Sequence, residues 1–274
     1  MSFRLRFWGT RGSIPTPGSA TVRYGGNTPS IEVRTPSGSL VVLDAGTGIR
    51  ELGRALIARA NGSPITGDIF LTHAHWDHIQ GIPFFGPLFL PGNRVTFHSH
   101  CNGSLEEVLE GQMARPYFPI DLASVAARRE FVDIDSQAVS FSGITIRPFS
   151  LNHPQGAVGY RIETGKSVIV YATDHEHGDP RLDKLLLENA AEADILIYDA
   201  QYTPEEYSKY SGWGHSTWVE AVRVARDARA RRLLLFHHDP AHNDAFLEEI
   251  GNTARQSFEA VEAAREGSVI EFQE

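Results

Sequence analysis

The stretch Leu71-Thr72-His73-Ala74-His75-Trp76-Asp77-His78 decides the reading of this chain. It follows the apolar residues Ile69 and Phe70, a short run of the kind that forms a buried strand, and the histidines begin where that run ends. They therefore sit on a loop at the C-terminal end of a strand. Alternate residues of an extended chain point the same way, so His73, His75 and Asp77 share a face, while the bend that follows turns His78. Three imidazoles and a carboxylate this close together form a metal-binding pattern. Imidazole suits zinc, iron and other first-row ions, and the carboxylate can serve a second ion.

With 274 residues, 41% hydrophobic and 22% charged, the chain can bury a substantial core. No repeat or flexible linker divides it, which favours one domain over residues 1–274. The formal net charge of −9 opposes a long RNA or DNA partner, although a local positive site can still bind one phosphate group. The single cysteine, Cys101, excludes an internal disulfide and a cysteine-based zinc cluster, and it reads as a small packing residue in a reducing compartment. No apolar run reaches membrane-spanning length, and the amino terminus alternates like a strand instead of resembling a signal peptide. The expected location is the cytoplasm, away from membranes.

His73 to His78 match the pattern HxHxDH, and through it the chain resembles the metallo-β-lactamase fold superfamily, mostly hydrolases with a dinuclear metal site. The resemblance implies an α/β protein of the αββα type, two mixed β-sheets packed face to face with helices outside. The superfamily's further motifs occur in order. Asp44-Ala45-Gly46-Thr47-Gly48 matches DAGxG, so Asp44 is expected to accept the second N–H of a ligand histidine, which holds its tautomer and orientation. His153, followed by Gly159-Tyr160-Arg161-Ile162, matches the third motif, and the strand over 167–172 delivers Asp174, a carboxylate able to bridge two cations. The strand over 232–236 ends at two histidines, and the superfamily's last ligand falls on the first, which selects His237 with His238 as its rival. The resemblance thus implies one ion on His73, His75 and His153 and a second on Asp77, His78 and His237, bridged by Asp174 and a solvent oxygen. This donor set suits two divalent ions, zinc foremost, with manganese and iron(II) as alternatives.

Gly214-His215-Ser216-Thr217 resembles a motif of the superfamily's phosphodiesterases, ribonuclease Z and the PhnP-type enzymes. Thr217 with Glu220 reads as a capping box, so His215 stands just before a helix N-terminus, placed to contact a phosphoryl oxygen or protonate the leaving alkoxide. His215, Asp77 and Asp174 are the candidate catalytic residues. The Gly/Pro-rich loops from Gly9 to Pro29 resemble the loop that the superfamily's phosphodiesterases carry beside the active site, which implies that Arg11 and Asn27 touch a phosphate or order the loop, against the plainer reading of structural turns. Tyr117 or Phe118 is a candidate stacking platform for a nucleobase, against plain packing. His98 and His100 read as ordinary polar residues, and His175 and His177 as supporting or surface residues. The spacing of Leu247, Ile250, Ala254, Phe258 and Val261 predicts a closing amphipathic helix, ended by Gly267.

Several functions share such a metal core. Ribonuclease Z carries a long arm that grips tRNA, in its long bacterial form between the third histidine and the bridging aspartate. Here Pro154 to Thr173 leaves room only for two strands and a turn. With the acidic net charge, this favours a phosphodiesterase acting on a small nucleotide or phosphodiester, cyclic or linear, and makes an RNA endonuclease the runner-up. A β-CASP nuclease would need a further inserted domain. Hydrolysis of a carboxylic ester or lactone is another reading. So is a non-catalytic metal-binding scaffold, which the presence of all seven candidate ligands opposes. The expected partner is a small phosphodiester, not a long nucleic acid or a membrane, with homodimer formation left open. The segment from Gly81 to Ser142 matches nothing in the resemblance.

Overall fold

The computed structural model describes residues 3–100, 104–134 and 137–272, so Cys101 lies outside the described residues. Fourteen described strands form two seven-stranded sheets. The first contains β1 (Phe3–Gly9), β2 (Ser30–Arg34), β3 (Leu40–Leu43), β4 (Thr66–Leu71), β5 (Arg94–Ser99) and β6 (Arg128–Asp133), with the last strand, β14 (Val269–Phe272), on the outer side of β1. The second runs in chain order through β7 (Val139–Phe141), β8 (Ile144–Leu151), β9 (Ala157–Thr164), β10 (Val168–Ala172), β11 (Ile195–Asp199), β12 (Leu233–Phe236) and β13 (Val261–Ala263). Strands β3 to β6 are mutually parallel, as are β10 to β13; the remaining pairs are antiparallel.

Burial alternates along β1, with Phe3, Leu5 and Phe7 turned inward and Arg4 and Arg6 outward, as period-two patterning demands. Those phenylalanines and Phe70 meet Tyr160, Tyr171 and Phe236 of the second sheet in a shared core between the sheets. The other face of the first sheet is covered by α1 (Gly48–Ala60), with the short α2 (Trp76–Ile79) and α3 (Leu105–Gln112) beside it. The second sheet is covered by α4 (Pro180–Ala190), α6 (Trp218–Asp227) and α7 (Asp244–Arg255); α5 (Pro204–Tyr210) buries no residue. The αββα layering expected from the resemblance is the architecture observed.

Two expectations need correction. The closing helix stops at Arg255, and Val261 pairs with Leu233 as part of β13, while Gly267 turns the chain into β14 with φ of 79°. Helical spacing there coincides with burial, but parallel ladder bonds on β12 claim the backbone of Val261. Thr217 does cap α6 by accepting from the Glu220 amide, but the Glu220 carboxylate turns to Arg223 instead of back to the cap. The reciprocal capping box belongs to Thr203 and Glu206, at the start of α5. Between His153 and Asp174 the chain forms only β9, a short turn and β10.

Parallel strands aim their C-terminal ends at one rim of the sandwich. Asp44 follows β3, His73 follows β4, Asp174 follows β10, and His237 follows β12. At Asp44, Asp174 and His237 the backbone is left-handed, with φ of 57°, 58° and 61°. Such a conformation is uncommon and costly for residues with a side chain, and it turns each side chain off its strand toward the space between the sheets.

Candidate metal centre and proton donor

The seven candidate ligands converge as two clusters joined by Asp174. His73, His75 and His153 bring one nitrogen each within 4.8 Å of one another, and so do the ligand atoms of Asp77, His78 and His237. Asp174 faces both. One carboxylate oxygen lies 3.9 Å from Nε2 of His73 and of His153, and the other lies 3.3 Å from Nε2 of His78 and 3.4 Å from Nε2 of His237.

The outer hydrogen bonds decide which imidazole nitrogens face inward. Nδ1 of His153 donates to the Gly214 carbonyl (2.9 Å), and Nε2 of His75 donates to Oε1 of Gln155 (3.1 Å). Their remaining nitrogens are then bare lone pairs facing each other at 3.1 Å. Thr72 donates its hydroxyl to Asp44 and accepts Nδ1 of His73, which leaves Nε2 of His73 buried without a partner. Asp44 accepts Nδ1 of His78 (2.9 Å) and the hydroxyl of Tyr171 (2.7 Å), so Nε2 of His78 points between the carboxylates of Asp77 (3.2 Å) and Asp174 (3.3 Å). Nδ1 of His237 is held by Gln201 (2.9 Å). Buried lone pairs and carboxylates held this close repel one another unless a cation or a proton sits between them. Two donors on one tetrahedral zinc stand about 3.4 Å apart, from zinc–ligand distances of about 2.0–2.1 Å. The observed separations therefore suit ions shared among these groups.

The electrostatics agree. Burial disfavours the charged form of His78, yet Asp77, Asp174 and Asp44 outweigh it and push its pKa well above the ordinary range. Burial likewise works to raise the Asp174 carboxyl, but His237 and His78 hold it well below its usual value. The main chain closes in tightly. The Ser13 amide donates to Asp77 (2.8 Å), and a Cβ on Gly12 would lie 2.4 Å from Nδ1 of His237, so only glycine fits there. Gly214 has φ of 90° and leaves room that a Cβ, 2.1 Å from Nδ1 of His153, would fill.

His215 stands beside the centre, its ring stacked 4.9 Å from that of His237. Nδ1 lies 2.8 Å from Oδ2 of Asp199, the last residue of β11. Burial opposes protonation of His215, but the Asp199 carboxylate prevails and lifts its pKa to about 9. In the metal-free protein the imidazole is therefore cationic near neutral pH, and with Nδ1 spent on Asp199, Nε2 is its other donor. Asp199 also accepts the amides of Asp174 and Ser216 (both 3.0 Å), so it fixes the backbone at Asp174 and the ring of His215 together. Sequence reasoning passed over Asp199, Gln201 and Gln155. The available signal for Asp199 was an acidic residue ending an apolar strand, as at Asp44 and Asp174.

His238 is buried, bonds the Ala264 carbonyl (2.9 Å), and has its pKa pushed down to about 3 by burial, so its ring faces away from the cluster. Arg11 is fully buried and spends its guanidinium on the carbonyls of Gly25, Asp239 and His242. Asn27 is tied to Glu266. Both order the loop: Arg11 is fully buried with only Nη2 left without a bond, and Nδ2 of Asn27 is taken by Glu266, so the structure favours the loop-ordering alternative over phosphate contact. Tyr117 is 76% exposed and Phe118 packs edge-on against Phe84 at 5.6 Å; neither joins the residues closing round the histidines. His98 stacks on Phe70 and bonds Asp68, whereas His100 is exposed. His175 is buried between the Asn152 amide and Asp183, and His177 bonds Ser216.

A family model described as a beta-lactamase superfamily domain matches residues 40–238. The chain belongs to the beta-lactamase superfamily. Among curated relatives of this superfamily member, a ribonuclease Z of Haloferax volcanii is 27% identical, covering 86% of this chain and 84% of its own. The metallo-beta-lactamase fold protein YhfI of Bacillus subtilis has a similar structure, with a TM-score of 0.73 and 20% identity over 99% of this chain and all of that one. A diphosphatase of the PhnP family superposes with a TM-score of 0.72 and 23% identity, covering 99% of this chain and 98% of its own. This superfamily member is a hydrolase with a His/Asp cluster that can bind metal. Among the described residues no helix is long and apolar enough to cross a membrane.

Proposed function

We propose that this hydrolase is a phosphodiesterase for a small nucleotide or other small phosphodiester, working as a single domain with two divalent ions. His73, His75 and His153 would hold one ion, Asp77, His78 and His237 the other, with Asp174 shared and Asp44 orienting His78. Zinc suits this imidazole-rich set best, with manganese or iron(II) as substitutes. When bound, such ions ease the ionisation of water and offset charge developing on the substrate. The chain's own contribution is His215. Its imidazolium complements an anionic phosphoryl group, a charge that a neutral lactone or lactam lacks. As water adds to phosphorus and the ester P–O bond breaks, the departing oxygen takes the Nε2 proton of His215, and Asp199 keeps the ring aligned throughout. The observation that carries this reading is the His215–Asp199 pair set against the doubled donor cluster.

A ribonuclease Z-like endonuclease is the second reading, supported by the curated relatives. Against it stand the net charge of −9 and the short connection from His153 to Asp174. The alignment with the Haloferax relative also runs to 287 positions, more than the whole chain, so that relative carries residues without a counterpart here. The test is hydrolysis of bis(p-nitrophenyl) phosphate, p-nitrophenyl phosphate and a lactone after chelation, with zinc or manganese restored. Turnover of the diester alone is expected. Turnover of the lactone alone would overturn the assignment, and cleavage of precursor tRNA at a higher kcat/KM than any small diester would favour the second reading.

A further inference from the structure

Glu176 lies two residues beyond Asp174, is 9% exposed, and forms no ion pair among the described residues. Its carboxylate instead gathers donors from one segment: the amides of Gly212 (2.7 Å) and Gly214 (2.8 Å), the Tyr207 hydroxyl (2.9 Å) and, more weakly, the Ser211 hydroxyl (3.4 Å). Its main chain is equally committed. The Glu176 amide donates to the Asn152 carbonyl (2.8 Å), and the Asn152 side chain donates to the Glu176 carbonyl (2.8 Å). Glu176 therefore joins the strand end that carries His153 to the turn that carries His215. Besides this carboxylate, the turn is held by the Gly214 carbonyl on His153 and the Trp213 amide on Tyr210, while α5 before it buries no residue and Trp213 is 62% exposed. Burying a carboxylate is costly unless fixed donors repay it, and these donors are backbone amides whose positions they then define.

We infer that Glu176 is a positioning residue: it holds the turn from Ser211 to Gly214 so that His215 faces the leaving oxygen. This inference rests on the reading of His215 as proton donor. Displacing His215 by a fraction of an ångström weakens proton transfer to a basic alkoxide, whereas a p-nitrophenolate departs without help. Loss of Glu176 thus discriminates by leaving group, which a general loss of structure does not.

The experiment compares Glu176→Ala, Glu176→Gln and His215→Ala, in the metal-loaded protein, on bis(p-nitrophenyl) phosphate and on a dinucleotide. Glu176→Ala is expected to lower kcat on the dinucleotide by about tenfold or more, a share of the ~10²–10⁴-fold that a positioned proton donor supplies. The nitrophenyl diester, its KM and the bound-metal content stay near wild type. Glu176→Gln, which keeps one acceptor, recovers much of the loss and serves as the test should the alanine variant fail to fold. In metal-stripped Glu176→Gln, hydrogen exchange at amides 211–215 rises while the rest of the chain is unchanged. Equal losses on both substrates, or unchanged exchange at that turn, would overturn the inference. If His215→Ala shows selectivity and the Glu176 variants do not, the role of Glu176 alone fails. If His215→Ala shows none, the proton-donor reading fails with it.

Discussion

Replacing Asp199 with Asn removes one charge while keeping the shape of the side chain, and it isolates what the carboxylate does to His215. In the native protein the carboxylate lies 2.8 Å from Nδ1 and the imidazole has its pKa lifted to about 9 against burial. Without that charge, burial draws the pKa down toward the ordinary value of 6.5, opposed only by the weaker pull of Asp174 and Asp77. At pH 7.5 the protonated fraction then drops from nearly all toward about one in ten. The sign for stability follows. A pKa raised by folding stabilises the protein fully below the unfolded value of 6.5, and that stabilisation is lost as pH climbs through 9. The shift corresponds to roughly 3 kcal/mol. The assay is urea unfolding of the metal-stripped protein from pH 5.5 to 10, wild type against Asp199→Asn. The wild type should lose about 3 kcal/mol more than the variant across pH 6.5 to 9, because other titrating groups are common to both. Parallel stability curves would refute the reasoning, since they would mean that Asp199 does not set the charge of His215.

Arg11→Ala should destabilise the fold by about 3 kcal/mol or more, because three carbonyls lose a buried charged donor, and KM of the refolded fraction should stay unchanged. Chemical denaturation and steady-state kinetics check this, and a raised KM with unchanged stability would restore Arg11 to the substrate. Removing metal with a chelator should lower Tm by about 10 °C, since free ion at ~1,000 times its Kd contributes about 4 kcal/mol and a chain of this size shifts ~2–4 °C per kcal/mol. A Tm indifferent to chelation would show that the paired nitrogens and carboxylates are satisfied by protons instead.

Much of this protein is legible in its sequence alone. Period-two burial in β1, the Asp179-Pro180 start of α4 and the left-handed Asn61 that ends α1 are local physics, set by residues a few positions apart. The ligand motifs were legible for a similar reason. Each sits at the end of an apolar strand, and strand ends and ligand types are both visible in sequence. Local pattern failed where a competing partner, near or far in sequence, decided the outcome. Val261 fits the helical period of α7 but is captured by β12, and Glu220 fits a capping box but is taken by Arg223.

The division at the centre has the same cause. Sequence order determined that His73, His75, Asp77 and His78 stay together just after β4, since six consecutive residues cannot separate, although Asp77 and His78 lie on α2, and it placed His153, Asp174 and His237 at ends of strands. It left His237 and His238 undivided. Only the packed sheets choose between them: His237 has φ of 61° and turns toward Asp77, while His238 faces Ala264. Tertiary structure alone also paired Asp199 with His215 and enclosed Arg11 away from substrate. Hydrogen bonds between residues 16 or more than 200 positions apart are selected by how two sheets pack, and no local pattern records that.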